Sequence, residues 1–490
     1  MSNIKLSKPD TVEVEPRVIA LAPMPPEKAA YALARYSRSP DGIDASVRWV
    51  FDHSSEKFWE QFYFEYGHQS IADLGHVIVC FENISELAAI HVEDERLWDG
   101  QAKSSRYQDF ARLGVHVPEA AGGSADAFRA AADGLFAAYH ELRSPVEQRL
   151  REANPRPASM KEGAYDRAIT ARAFDVVRYV LPLAVPTNVG QVVSIRTLEK
   201  QIGHLLASPY AEIRDLGERL KRACSEPPLD LWGTLSGSRI GAEPLAPTLA
   251  RHAHANEYWQ KTYPELEQIA CEELKLGDPA PAPLVDLVPD HPVEVEIAAT
   301  LLYRASSYPY RQILEVVSEW SDRKRRELIE VGLRERGRED LLPEYQSGYR
   351  FLFDVLMDVG SWRDLHRHRR CQQVRQPFTF AHGYEVPEQI SAAGVEKPYR
   401  AALDTAAAAA QSLPADAAAY LLPFGHRMRC LFKMDFAEVE YISRLRSGVK
   451  GHFSYRRVAW EMKEKLAERH PFLAAQIEAT PPWIEDSLKR

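Results

Sequence analysis

The 490-residue sequence predicts a helix-rich α+β fold built from two tandem, related halves. Long stretches place apolar residues at helical spacing, whereas only a few short runs have the character of strands. Short motifs also recur in the same order on both sides of a proline-rich segment, which is typical of a duplicated domain. Because the chain is too long for one ordinary core, we expect two domains.

The predicted helices and strands follow from this apolar spacing. Helices are predicted over eight segments, namely 27–37, 125–152, 165–180, 208–224, 246–276, 310–336, 398–411 and 458–469. The two best strand-like runs are HVIVCF at 76–81 and FLFDVLM at 351–357. Each run precedes a helix-like stretch that carries arginines, so each half is expected to place basic side chains beside a small sheet.

A proline-rich segment divides the chain into its halves. Residues 277–292 contain five prolines, which remove backbone donors and stiffen the chain. We therefore predict an N-terminal domain over 1–276, a linker over 277–292 and a C-terminal domain over 293–490. The recurring motifs pair 178–182 with 419–423, 194–197 with 444–447, and 212–219 with 461–469.

Composition and charge exclude several classes of function. The net charge of −9 provides no basic field for nucleic acid, although a local arginine cluster could still bind a nucleotide. Five widely spaced cysteines without a CxxC pair indicate neither a disulfide framework nor a zinc site, and a reducing cytoplasm fits best. No signal-peptide pattern and no apolar run of membrane-spanning length is present, so no membrane association is expected.

Three clusters of polar residues could form a binding or catalytic site. The densest is the basic run 366–370, whose guanidinium forks suit phosphate, although it could also be a solvated helix end. The second is Ser-Ser-Arg-Tyr at 104–107, just after Asp-Glu-Arg at 94–96, which could equally be a surface turn. The third comprises Arg444, Arg446, His452, Arg456 and Arg457, and its alternative is a charged helix face paired with Asp435, Glu438 and Glu440. Dinucleotide-fold, P-loop, serine-hydrolase and zincin motifs do not occur.

In this order, the clusters resemble the flavin-dependent thymidylate synthases. The first half has the end of that family's signature, with Ser104, Arg106 and Tyr107, and an arginine, Arg178, before Leu-Pro. It also has a Gly-His-Gln-Ser motif at 67–70 and an arginine at 196. The second half keeps the complementary Arg-His-Arg of the signature and the later basic block. Those residues are Arg367, His368, Arg369, Arg446, His452 and Arg457.

The resemblance implies one active site shared between the halves. In the family the site lies between subunits, so a fused tandem needs each set of residues only once, and the two domains would form a pseudo-dimer. The implied substrate-binding residues are Ser104, Arg106, Arg178, Arg367 and Arg457. The implied cofactor-binding residues are Arg367, His368, Arg369, Arg446 and His452. Arg457, with Arg456 as the alternative, is the implied catalytic residue that stabilises negative charge on uracil, and no metal is implied.

The reaction implied by the resemblance is reductive methylation of deoxyuridylate, or a related uridine nucleotide, to thymidylate. Its cofactors would be FAD, NADPH and methylenetetrahydrofolate, and its assembly a homodimer of tandem chains that mimics the family's tetramer. Leu74, Ala102 and Asp364 depart from the family pattern. These departures leave open a catalytically degenerate homologue that binds flavin or nucleotide, or a partner of a complete synthase.

Overall fold

The computed structural model describes residues 23–37, 39, 42–65, 69–106, 109–110, 114–230, 244–275, 279–336, 341–486 and 488. The first-half helices are α1 (Pro26–Tyr36), α2 (Ile43–Asp52), α3 (Glu56–Phe58), α4 (Glu86–Glu93), α5 (Ala125–Ala153), α6 (Glu162–Val177), α7 (Ile195–Leu206) and α8 (Ala211–Ser225). Two helices, α9 (Pro247–His252) and α10 (Glu257–Glu273), lead towards the second half.

The second half is also mainly helical. Its helices are α11 (Val293–Arg304), α12 (Tyr310–Glu319), α13 (Asp322–Arg334), α14 (Val359–His366), α15 (Glu388–Ala392), α16 (Glu396–Ala410), α17 (Ala415–Leu421), α18 (Phe436–Ser447), α19 (Phe453–Arg469) and α20 (Pro471–Ala474). None of the helices in the described ranges is long and apolar enough to cross a membrane. The predicted helix-rich α+β fold is confirmed.

Within the described residues, each half contains one small antiparallel sheet. The first contains β1 (His76–Ser85), β2 (Asp99–Ala102) and β3 (Pro186–Ser194) in the order β1-β3-β2. The second contains β4 (Val285–Leu287), β5 (Phe351–Asp358), β6 (Gln372–Arg375) and β7 (Arg427–Met434) in the order β4-β5-β7-β6. Both predicted strands, 76–81 and 351–357, are confirmed as parts of β1 and β5.

Two predicted helices are each split in two by a capping side chain. The segment 246–276 divides before α10, where the Asn256 side chain accepts a hydrogen bond from the Trp259 amide. The segment 310–336 divides before α13, where Ser321 caps in the same way. In both places a side chain replaces the missing helical partner of a backbone N–H, which favours a new helix start over continuation.

Part of the predicted linker belongs to the second sheet. Within 277–292, strand β4 pairs antiparallel with β5, with Val285 opposite Val355. Val285 is fully buried, so this stretch contributes to the core although prolines flank it. The domain bounds 1–276, 277–292 and 293–490 otherwise stay a prediction.

The halves are joined through two equivalent turns that pair with each other. The Leu183 amide donates to the Leu422 carbonyl at 3.0 Å. The Phe424 amide donates to the Leu181 carbonyl at 2.9 Å. Exchanging equivalent residues converts one bond into the other, which is the pattern of a local twofold axis between duplicated halves.

Only the first of the three recurring motifs is in structural register. Arg196 lies in the first turn of α7, whereas Arg446 lies in the last turn of α18. Glu212 lies in the first turn of α8, whereas Glu461 lies in the middle of α19. The matches at 194–197 and 212–219 are therefore not equivalent positions.

The largest hydrophobic core is common to both halves. It joins the first-half helices α4, α5 and α6 to strands β5 and β7 and to helices α14, α16 and α19 of the second half. Two smaller cores lie beneath the first sheet and around helices α10 to α13. The shared core fixes the position of one half against the other, and residues from both halves meet beside it.

Candidate functional site

Arg106 is held in a bidentate ion pair with a buried carboxylate. It lies in the turn after β2, and its Nε and Nη2 donate to the two carboxylate oxygens of Asp175 at 2.7 and 3.2 Å. Asp175 lies near the end of α6, and its side chain is fully buried. Burial opposes the charge on Arg106, but Asp175 outweighs it and raises the pKa of the guanidinium. Arg106 is therefore a fixed cation.

Arg178 connects the two halves of the chain. It follows α6, is almost fully buried, and its Nη1 donates to the Ser105 hydroxyl at 3.3 Å. Its Nη2 lies 3.7 Å from Oδ2 of Asp364 on α14, in the second half. Within the described ranges, Nε and Nη2 of Arg178 and Oδ2 of Asp364 are buried without a hydrogen-bond partner. Such atoms are costly to leave unpaired, so they mark a place suited to a polar ligand.

His452 packs against the same group from the second half. It caps α19, and its Nε2 lies 3.1 Å from the Asp175 carbonyl, while Nδ1 lies 2.9 Å from the Ser361 hydroxyl. A carbonyl only accepts, so Nε2 carries the proton and Nδ1 accepts from Ser361. Burial, reinforced by Arg178, lowers the pKa of His452 well below its usual value. The ring is therefore neutral at neutral pH.

His368 and Arg446 form a second hydrogen-bonded group. Arg446 Nε donates to Nε2 of His368 at 2.7 Å, so the His368 proton lies on Nδ1, which donates to Glu438 at 3.2 Å. Burial lowers the pKa of His368. The Arg446 guanidinium also lies 5.7 Å from the ring centre of Tyr455, which is itself a neighbour of Arg106. Arg446 therefore contacts His368 on one side and Tyr455 on another.

Arg369 faces the first half, whereas Arg367 is exposed to solvent. The Arg369 guanidinium lies 4.3 Å from the ring centre of Trp98, and its Nε is buried without a hydrogen-bond partner among the described residues. Burial, together with the neighbouring Arg367, lowers the pKa of Arg369. A cation in this environment is stabilised by an anion.

A cleft of about 390 Å³ opens beside His368 and Arg369. Its walls combine residues 91–96 of the first half with 366–375 of the second, and helices α7 and α10 close one side. Within it, Arg375 binds both carboxylate oxygens of Asp94 at 2.6 Å. The volume lies within the roughly 300–1,000 Å³ of small-molecule sites.

Arg457, the expected catalytic residue, lies elsewhere. It is 63% exposed on the solvent face of α19, and its Nε donates to Glu461 on the next turn at 2.8 Å. The alternative, Arg456, is buried, but its guanidinium donates to the backbone carbonyls of Ser447 and Ile484 and so binds the C-terminal tail. The periodicity of α19 turns each arginine away from the Arg106–Arg178 group, and the nomination of Arg457 is corrected accordingly.

Ser104 lies near Arg106 and Arg178, but it is the neighbouring Ser105 that hydrogen-bonds to Arg178. The Ser104 hydroxyl accepts a hydrogen bond from the Arg106 amide at 3.3 Å, whereas Ser105 contacts Arg178. Tyr107, and residues 67 and 68 of the Gly-His-Gln-Ser motif, lie outside the described residues.

Asp175, Ser361 and Tyr455 were missed by the sequence analysis. Asp175 lies three residues before Arg178, one helical turn away, which is the one signal that could have suggested it. Ser361 and Tyr455 are ordinary helix residues whose role depends on which element they face.

The comparisons with known proteins agree with the duplicated architecture. A family model described as thymidylate synthase complementing protein matches residues 18–227 and 283–472. A UPF0159 protein of Chlamydia muridarum (strain MoPn / Nigg) is 27% identical over 489 residues, covering 93% of this chain and 90% of its own length. A UPF0159 protein of Thermoplasma acidophilum is 24% identical, covering 91% of this chain and 93% of its own length.

Among solved structures, a flavin-dependent thymidylate synthase from Helicobacter pylori complexed with FAD and dUMP is similar at a TM-score of 0.24 and 14% identity. The match covers 41% of this chain and 89% of that chain. The resemblance to this family inferred from the sequence is confirmed by the family match. Because its two matched ranges span most of the sequence, the chain belongs to the thymidylate synthase complementing protein family, as two tandem copies.

Proposed function

We propose that this chain catalyses flavin-dependent reductive methylation of deoxyuridylate to thymidylate at one composite site. The observation that carries the proposal is the meeting of Arg178 with Asp364, one from each half, with buried polar atoms left unpaired. A tandem chain in which each half supplies part of the site needs only one complete set of residues. Family membership supports the reaction class.

Arg106 and Arg178 would bind the nucleotide phosphate. Both are preorganised by partners, Asp175 and Ser105, so little side-chain entropy is lost when an anion binds. The Ser104 hydroxyl lies beside them and is a further donor. Asp364 would repel a phosphate, but its unpaired oxygen suits the N–H donor of a uracil ring.

Arg446 would stabilise the negative charge that develops on uracil during methylation. It is fixed by the neutral His368 imidazole, which leaves the full guanidinium charge uncompensated at that contact. A fixed cation aimed at developing charge lowers the barrier without reorganisation during the step. This role replaces the one expected for Arg457.

FAD would be held by three arginines and one neutral histidine of the second half, Arg367, His368, Arg369 and Arg446. The buried, unpaired Nε of Arg369 fits an anionic diphosphate. When bound, the flavin supplies the hydride after reduction by NADPH, and methylenetetrahydrofolate supplies the carbon. We further propose a cytoplasmic homodimer of tandem chains acting on a small nucleotide, with His452 orienting the site through Asp175.

A second candidate is a degenerate homologue that binds nucleotide without turnover. Two ion pairs favour this candidate. Arg106 is already paired with Asp175, and Arg375 is already paired with Asp94 inside the cleft. Both ion pairs occupy cations that a catalytic site could use. This candidate predicts nucleotide binding without NADPH oxidation.

The test is the visible absorbance of the purified chain with FAD, titrated with deoxyuridylate. We expect a bound-flavin spectrum that shifts on nucleotide addition, followed by NADPH oxidation that requires methylenetetrahydrofolate. Arg178→Ala should weaken deoxyuridylate binding by about 30-fold or more, because a buried charge partner is lost. Arg219→Ala, which removes an exposed pair with Asp215, is the matched control and should change nothing. Unchanged nucleotide affinity in Arg178→Ala would overturn the proposal.

A further inference from the structure

One wall of the cleft comes from chain that neither family match covers. Residues 228–282 lie between the two matched ranges, and α10 lies inside that interval. Trp259 and Tyr263, both on α10, line the same cleft as His368 and Arg369. Chain from outside the family-matched ranges therefore adds a wall beside the residues proposed to hold the cofactor.

The added wall is a platform of stacked rings. The Trp259 indole stacks on the His204 imidazole, with ring centres 3.9 Å apart and planes 11° apart. His204 is held in turn by Glu95, 2.7 Å from its Nδ1. Tyr263 meets Trp259 edge-on at 5.4 Å, and the Arg304 guanidinium lies 5.2 Å from the Tyr263 ring centre. Trp259 is only partly buried, so part of the indole remains available to a ligand.

Positive charge also lines this cleft. Arg304 and Arg375 are paired with Glu344 and Asp94. Arg369 is different, because its buried Nε lacks a hydrogen-bond partner within the described ranges. A cleft lined by aromatic rings and by a guanidinium with an unpaired Nε is complementary to a planar ring that carries phosphate groups.

We propose that α10 supplies a stacking site for the adenine ring of a nucleoside diphosphate. This inference rests on the proposed function, under which that group is the adenosine diphosphate end of FAD. Trp259 would stack on the adenine, and Arg369 would bind the diphosphate. Trp259 then contributes to the choice of FAD over FMN, which has no adenine.

The experiment measures FAD, FMN and deoxyuridylate affinity of the full chain, with flavin fluorescence and absorbance as readouts. Trp259→Ala should weaken FAD binding roughly 5- to 100-fold, the range for a lost base–aromatic stack. FMN and deoxyuridylate affinity should not change, and Trp259→Phe should keep most of the FAD affinity. Trp483→Ala, which removes a tryptophan that is 72% exposed, is the matched control.

Competition by ADP can be measured with the wild-type chain, so this test does not depend on whether a variant folds. In the wild-type chain, ADP should compete with FAD, because both would place an adenine ring on Trp259. Equal loss of FAD and FMN affinity in Trp259→Ala, or no loss of either, would overturn the stacking site while the proposed reaction stands. A wild-type chain that binds ADP through Trp259 but neither flavin would instead support the stacking site and overturn the proposed reaction.

Discussion

The charges around Arg178 differ in how fully they are satisfied. Arg106 is neutralised by both oxygens of Asp175, whereas Arg178 has one hydrogen bond, to Ser105, and a longer approach to Asp364. The desolvation cost of a buried guanidinium is offset only when its donors are paired. Arg178 therefore gains more from a bound anion than Arg106 does, and it is the most sensitive position for substitution.

Substitution of Arg446 and substitution of Arg457 should affect turnover very differently. Arg446→Ala should lower turnover about 100-fold, as expected when one preorganised donor to developing charge is removed. Arg457→Ala should leave turnover within about two-fold, because an exposed pair with Glu461 contributes little. Steady-state NADPH oxidation by both variants measures this. The reverse order of effects would restore Arg457 as the charge-stabilising residue.

His426 makes stability depend on pH. Its side chain is 1% exposed, and burial, assisted by Arg427, lowers its pKa to about 3. Between that value and about 6.5, the histidine binds a proton only in the unfolded state, so acid lowers the free energy of unfolding. The wild type should therefore lose about 2 kcal/mol more than His426→Gln between pH 7 and pH 5. Urea unfolding at both pH values measures the difference. Equal losses of unfolding free energy in the wild type and in His426→Gln would refute the prediction.

In each half, a polar side chain caps the start of the helix that follows the sheet and so fixes the position of that helix. Ser194 caps α7 by accepting from the Thr197 amide, and Asp435 caps α18 by accepting from the Glu438 amide. Ser194 ends β3 and Asp435 directly follows β7, and both strands are inner strands of their sheets, so an inner strand leads into the capped helix in both halves. In the second half the cap also fixes Glu438, the partner of His368.

The two caps should contribute equally to stability. Ser194→Ala and Asp435→Ala should each lower the free energy of unfolding by about 1 kcal/mol, because each leaves a helix N–H without its acceptor. Asp435→Asn keeps an acceptor and should recover most of the loss. Asp435→Ala should also weaken flavin binding, and more than Ser194→Ala does, since α18 carries Glu438 and Arg446 whereas α7 carries His204, which only supports Trp259. Urea unfolding and flavin titration measure the two effects, and equal loss of flavin binding in both alanine variants would contradict this.

At the scale of the whole molecule, the shared core makes the tandem one folding unit. Phe128 and Tyr139 of α5 belong to the same core as Phe353 of β5 and Leu403 of α16. Separating the halves would expose this surface to water at a cost of roughly 25 cal/mol per Å². The proposed composite site depends on that core, because its residues come from both sides.

The halves should therefore not be stable alone. Calorimetry of the full chain should show one dominant transition. The separate chains 1–276 and 277–490, the second of which keeps β4, should aggregate, and their co-expression should restore deoxyuridylate binding. Two independent transitions, or a soluble isolated half with native helix content, would show that the halves are separate units.

The sequence by itself determined the architecture and the identity of many polar residues. Helical and strand periodicity located β1 and β5, and the retained Arg178 and Arg367–Arg369 pointed to complementary halves. These signals are local, because a helix or strand requires only the spacing of neighbouring residues. The ordered recurrence of motifs indicated the duplication, although two of the three matches proved out of register.

Only the tertiary structure decided which side chains meet. Arg446 and Arg457 look alike in sequence, yet α18 carries one to His368 while α19 turns the other to solvent. Trp259 belongs to a segment without a motif and reaches the cleft because α10 packs against α7. A one-residue change of position on a helix rotates a side chain by about 100°. Contact between distant elements therefore depends on packing of the shared core, which no local pattern encodes.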